Sequence, residues 1–122
     1  MRDFRKLQVW AQSVELAVQA YRLCNNLPRN EEFGLKSQIR RSAVSIAANI
    51  AEGCSRSSKK EYKHFLELAI GSAFELETHF IITSKCHELE QTELDLFFSK
   101  LNSLERSINN LIQKIRADLQ TK

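Results

Sequence analysis

Apolar residues recur along this chain at helical spacing. Leu7, Trp10, Val14, Ala17, Tyr21 and Cys24 follow one another in alternating steps of three and four, which is one stripe of an α-helix. A second stripe runs beside it through Val9, Leu16, Ala20, Leu23 and Leu27, so the first helix is expected to bury a wide face. Pro28 cannot extend the backbone ladder and restricts the residue before it, so that helix should stop by about Leu27. In the connection "PRNEEFG", Asn30 is a candidate cap, with Glu31 and Glu32 near the positive helix N-terminus. A second helix carries Ile39, Ala43, Ile46, Ile50 and Gly53 in the same rhythm, and Gly53 suits the left-handed position just past a helix end.

The polar, basic stretch "CSRSSKK" is the next connection, and Ser58 with Glu61 fits a capping box. The third helix has its stripe at Phe65 or Leu66, Ala69, Ala73, Leu76, Phe80 and Thr83, and should fade near Leu89. After "HELEQTE", where Thr92 is a plausible cap, Leu94, Phe97, Leu101, Leu104, Ile108, Leu111 and Ile115 mark a fourth helix. A helix of about 25 residues would span about 38 Å. Four long helices with short links pack most simply as an antiparallel up-down-up-down four-helix bundle, an all-α fold. The length of 122 residues fits a single domain over residues 1–122.

Composition supports this picture. Three glycines and one proline leave little room for a turn-rich β fold. No apolar run is long enough for a transmembrane helix, so no membrane partner is expected. The start "MRDFRKLQVW" lacks the apolar core of a signal peptide. Cys24, Cys54 and Cys86 are odd in number and far apart, which reads as free thiols and a cytoplasmic location.

The net charge of +3 is unevenly spread: residues 1–64 carry +6 and residues 65–122 carry −3. A basic half can meet a polyanion. The candidate phosphate contacts are Arg40, Arg41, Arg56, Lys59, Lys60 and Lys63, joined by Arg2, Arg5 and Lys6 if the N-terminus lies at the same end of the bundle. Tyr62 and His64 add nearby rings. The plain alternative is a solvated face that keeps the protein soluble.

A polar line, Ser45, Asn49 and Glu52, shares one face of the second helix beside Ile46 and Ile50. It is either a ligand pocket or a hydrogen-bonded network that fixes register or assembly. The third helix supplies partners of the right kind in Ser72, Glu75, Glu77 and Thr78. A network is favoured, because no nucleophile–base pair or metal spacing accompanies the line. Small residues, among them Ala43, Ala47, Ala48 and Ala51 facing Ala69, Gly71, Ser72 and Ala73, predict that the second and third helices make the closest contact. Trp10 and Tyr21 read as core.

Enzyme chemistry has little support. "EYKH" (Glu61–His64) has the spacing of a di-iron bundle ligand pair but occurs once. His79, Cys86 and His87 lack two further ligands at zinc spacing. There is no phosphate-binding glycine loop and no nucleophile elbow. No metal, cofactor or catalytic residue is expected.

Three stretches together point to a family: "LQVWAQSVELA", "FGLKSQIRRSAVSIAANIAEG" (Phe33–Gly53) and "FLELAIGSAFELETHF" (Phe65–Phe80). The chain resembles the small four-helix-bundle proteins encoded in intervening sequences of bacterial large-subunit ribosomal RNA genes, at times labelled as a ribosomal protein. That family is similar to the accessory variability protein of diversity-generating retroelements. The resemblance is specific at SQIRR, NIAEG and GS-x-x-ELET. It implies a ring-like homopentamer and, from the retroelement relatives, binding of nucleic acid and of a reverse transcriptase. One departure is Ala47, where many members have proline. The expected function is a non-enzymatic, oligomeric nucleic-acid-binding protein, with RNA favoured over DNA. The alternative is a scaffold for a protein partner such as a reverse transcriptase.

Overall fold

The computed structural model describes residues 2–121. Four α-helices follow one another: α1 (Gln8–Cys24), α2 (Leu35–Cys54), α3 (Lys59–Cys86) and α4 (Gln91–Gln120). Short 3₁₀ turns at Phe4–Lys6 and Arg29–Glu31 precede α1 and α2. Each helix packs on its sequence neighbours, and α4 closes back on α1. No comparable backbone approach joins α1 to α3 or α2 to α4 among the described residues, so the helices stand at the corners of a square. Their course is antiparallel. The N-terminal Arg2 N–H reaches the Cys54 carbonyl at the end of α2. Lys59 at the start of α3 meets Asp118 at the end of α4, and His87 just past α3 meets Glu31 just before α2.

The inner stripes of α2 and α3 lie where periodicity puts them. Ile39, Ala43, Ile46, Ile50 and Gly53 are buried, as are Leu66, Ala69, Ala73, Leu76, Phe80 and Thr83. In α4 the stripe shifts from Leu111 to Ile112 near its end, which keeps a straight 3.6-residue helix facing the core. At 30 residues α4 spans about 45 Å. Phe80 and Phe97 stack across α3 and α4 at 4.5 Å between ring centroids.

In α1 the second stripe faces inward and the first is split: Cys24 is fully buried and Leu7, Trp10 and Ala17 pack partly buried against the core, but Val14 and Tyr21 turn outward. Leu16, Ala20 and Leu23 are buried, while Val14, Val18 and Tyr21 are 37%, 45% and 40% exposed. Tyr21 is therefore a surface residue, and Trp10 is half-buried against Phe4.

Several ends differ from expectation. α1 ends at Cys24, three residues before Leu27, which is still buried. Asn30 falls inside the 3₁₀ turn, Gly34 holds the N-cap position of α2, and Glu31 Oε1 accepts from the Leu35 N–H at 3.3 Å. α3 stops at Cys86, and Glu90 rather than Thr92 caps α4 by accepting from the Glu93 N–H. Ser58 does cap α3, its Oγ accepting from the Glu61 N–H at 3.1 Å. Its hydroxyl also donates to Glu61 Oε1, in place of the reciprocal side-chain-to-backbone bond of a full capping box. α2 runs unbroken through Ala47.

Gly53 is not a left-handed terminator. It lies in the last turn of α2, and no glycine among the described residues has positive φ. A Cβ there would sit 2.8 Å from Phe65 Cβ and 3.3 Å from the Tyr62 carbonyl oxygen. Its missing side chain lets α2 and α3 converge just before their connecting loop. These two helices make the most extensive contact of any pair. Ala43, Ala69 and Ala73 are fully buried, but Ala47 turns toward α1 and Gly71 faces open space.

Candidate nucleic-acid interface

Segments distant in sequence meet at one end of the bundle: the N-terminal turn, the α2–α3 loop and the last turns of α4. Arg2 holds the loop, its Nη1 donating to the Arg56 carbonyl at 2.9 Å and its guanidinium stacking 4.1 Å over the Tyr62 ring. Arg56 lies 4.6 Å over Phe65 and pairs with Glu52 at 2.7 Å. Arg2, Ser55, Arg56 and Ser57 line an open depression there. Lys59 meets Asp118 at 3.6 Å, and Lys63 and Arg116 both meet Glu67, at 3.4 and 3.6 Å. Lys60 is exposed and has no carboxylate within 4 Å among the described residues.

Burial pushes the Tyr62 phenol up to about 12 and raises the Cys54 thiol. Both are therefore neutral at pH 7 and take no positive charge away from this end. The ion pairs are largely exposed, a class worth about 0–1 kcal/mol each. Their cations can exchange a carboxylate for a phosphate at little cost.

Arg40 and Arg41 are not part of this cluster. At about 1.5 Å per residue, Arg41 lies about 20 Å from the loop end of α2. Arg40 pairs with Glu32 at 2.8 Å and leans over Tyr21, 5.5 Å from the ring centroid. The Arg40 hydrogen bond holds the Glu32 carboxyl below its usual range. The six candidate cations thus divide into a group of four at one end and a pair near the other. Helical rise separates them, a distance that counting basic residues along the chain hides.

The polar line also divides. Ser45 Oγ accepts from Ser72 Oγ at 2.9 Å and from Asn49 Nδ2 at 3.0 Å, and Asn49 also donates to the Ser45 carbonyl. This small network bridges α2 and α3 at mid-height. Glu52 lies outside it, because its helical position carries it toward Arg56 in the loop. Glu75 turns outward to His79 at 3.3 Å, and Thr78 bonds back to the Phe74 carbonyl. Glu77 faces α4 instead, where it meets Glu105. Burial, together with the hydrogen bond to Glu77, pushes the Glu105 carboxyl up to about 7. Asn102 Nδ2 donates to Glu105 Oε1 at 3.1 Å. Sequence reasoning missed this carboxyl pair, which only the facing of α3 and α4 creates.

No group of three or more His, Cys, Asp or Glu side chains converges to hold a metal among the described residues. Glu61 of "EYKH" serves the α3 cap, and His64 lies edge-on to Phe65 at 5.6 Å. Cys24 and Cys54 are buried free thiols, and Cys86 is an exposed one. No described helix is long and apolar enough to cross a membrane.

Comparison with known proteins bears on the fold and the family. Among solved structures, the chain is similar to a protein of unknown function from the S23 ribosomal protein family of Bacteroides thetaiotaomicron. The two share 24% identity with a TM-score of 0.76, covering 85% of this chain and 97% of the other, a likeness of fold. No curated protein matches. A family model, the 23S rRNA-intervening sequence protein, matches residues 5–110. With all but the first few residues and the end of α4 inside that match, the chain belongs to the 23S rRNA-intervening sequence protein family.

Proposed function

We propose that this chain is a non-enzymatic, oligomeric RNA-binding protein that holds phosphates at the basic end of its bundle. The observation that carries the reading is the convergence of Arg2, Arg56, Lys59 and Lys60 from separate segments onto the start of α3. A helix N-terminus adds partial positive charge to the same place. Contacts of this kind are made to the backbone and carry no base preference. Family resemblance supports a pentamer, which would repeat the basic end five times and turn a weak site into an avid one.

An RNA gel shift tests the reading. Binding at low salt should weaken steeply as salt rises. A protein that binds no RNA at low salt, or binds it equally well with Arg56, Lys59 and Lys60 reversed to glutamate, would rule the reading out. Recovery of one stoichiometric protein partner after nuclease treatment would favour a scaffold instead.

A further inference from the structure

We propose that the groove between α1 and α4 binds a free α-amino acid, with its carboxylate on Arg22, its ammonium on Glu93 and Gln19, and its side chain lying along the groove toward Glu15 and Lys100. α1 and α4 form the loosest of the four seams between neighbouring helices. Two adjoining cavities, of about 180 and 190 Å³, open along it and share Gln19. Together they reach the size of small-ligand sites, which start at about 300 Å³.

The floor is apolar. Leu23 and Phe97 lie under the first cavity, Leu16 and Leu104 under the second, and all four are buried. Leu96, 54% exposed, forms one wall of the first. An apolar floor with a few placed polar groups is the usual make-up of a small-molecule site. One such group is the side-chain amide of Gln19. Its Oε1 is buried and has no hydrogen-bond partner. An empty buried acceptor is costly, so a donor that arrives there gains more than one exchanged against water.

Charge on the rim decides what kind of ligand fits. Arg22 and Glu93 line the first cavity, Glu15 and Lys100 the second. All four are exposed, and none has an ion-pair partner within 4 Å among the described residues. Each cavity thus holds one cation and one anion from different helices, with neither satisfied. A simple anion or cation would meet one of them and be repelled by the other, whereas a zwitterion meets both. The head of an α-amino acid carries that pairing on a single carbon. Arg22 can take the carboxylate through two parallel N–H donors, a geometry closed to Lys100, so the head belongs in the first cavity. Its ammonium then has Glu93 and Gln19 Oε1 as acceptors.

The second charged rung lies seven residues away along both antiparallel helices, from Arg22 to Glu15 and from Glu93 to Lys100, or about 10.5 Å. A long side chain laid on Leu16 and Leu104 crosses that distance together with the Glu15 or Lys100 side chain that meets its tip. The groove contains none of the cations of the basic end, so the proposal is independent of the RNA reading.

Titration calorimetry with each common amino acid tests the site in the wild type, Gln19→Leu, Arg22→Gln and Glu93→Gln, with helical circular dichroism as the check on folding. At least one amino acid should bind, and one with a long side chain should bind more tightly than glycine. Its N-acetyl and methyl-ester forms, each lacking one charge of the head, should bind about tenfold or more weakly, and so should each variant with the unmodified amino acid. No binding of any amino acid at millimolar concentration overturns the proposal. Binding that the blocked forms share, or that Gln19→Leu and Arg22→Gln leave unchanged, overturns it as well. If Gln19→Leu does not fold, Arg22→Gln and Glu93→Gln, both at exposed positions, decide the outcome.

Discussion

The two ends of the bundle solve the same problem with opposite charge. Each end exposes two helix N-termini and two C-termini. At the far end, carboxylates do the capping: Glu31 at the start of α2 and Glu90 at the start of α4. Glu31 also pairs with His87 at 2.7 Å, and Glu32 takes Lys36 and Arg40. There the charges close the fold and satisfy one another. At the near end a neutral hydroxyl, Ser58, caps α3, and the cations around it meet exposed carboxylates, aromatic faces or, for Arg2, the Arg56 carbonyl. The partial positive charge of the helix start faces one acidic side chain, Glu61, in the first turn of α3. The same residue types thus cap helices at one end and form exposed pairs around a hydroxyl cap at the other.

The largest expected effect tests that division directly. Reversing Arg56, Lys59 and Lys60 to glutamate should lower RNA affinity about 100-fold at low salt, while reversing Arg40 and Arg41 should cost less than about tenfold. Fluorescence anisotropy with a labelled oligonucleotide reads both, and equal losses would erase the distinction between the ends.

Between the ends α2 and α3 make a close contact. Leucine in place of the fully buried Ala73 should overpack it and cost about 1–3 kcal/mol in urea denaturation. Leucine in place of Ala47, which lines an open groove, should leave the stability of the single chain within about 0.5 kcal/mol.

Acid–base behaviour sharpens the comparison further. The folded pKa of Glu105 is raised from 4.5 to about 7. Its stabilising contribution is full below pH 4.5 and is lost as pH rises through 7. Glu105→Gln should therefore flatten stability between those values. It should also melt above the wild type at pH 8, by on the order of 1 kcal/mol after solvent screening. The smallest effect belongs to the far end. The His87 hydrogen bond, then the Leu35 N–H, lowers the pKa of Glu31 from 4.5. Its contribution is present above pH 4.5 and is lost as pH falls through the folded value. Glu31→Gln should lower Tm slightly at pH 7 and leave it unchanged near pH 2, a convergence that a thermal melt series would show.

Much of the bundle is legible in the sequence because burial and periodicity agree. Ile39, Ala43, Ile46, Ile50 and Gly53 all face inward, as spacing alone requires. In α1 spacing cannot choose, because Val14, Val18 and Tyr21 are as apolar as the Leu16–Leu23 stripe that won the core. An apolar face left exposed on the single chain looks like core in one dimension. Gly53 is misread for a related reason: its role is set by Phe65 and Tyr62 on another helix, and no local signal reports them. The same holds for Glu77 and Glu105. The basic residues are all visible in the sequence, but their division into two groups follows from the length of α2.

The most direct test of the account is the dependence of RNA affinity on salt for the wild type and the Arg56/Lys59/Lys60 reversal. The logarithm of the association constant should fall linearly with the logarithm of salt concentration, with a clearly shallower slope in the variant. A wild-type affinity that ignores salt, or a slope the variant leaves unchanged, would contradict phosphate binding at the basic end.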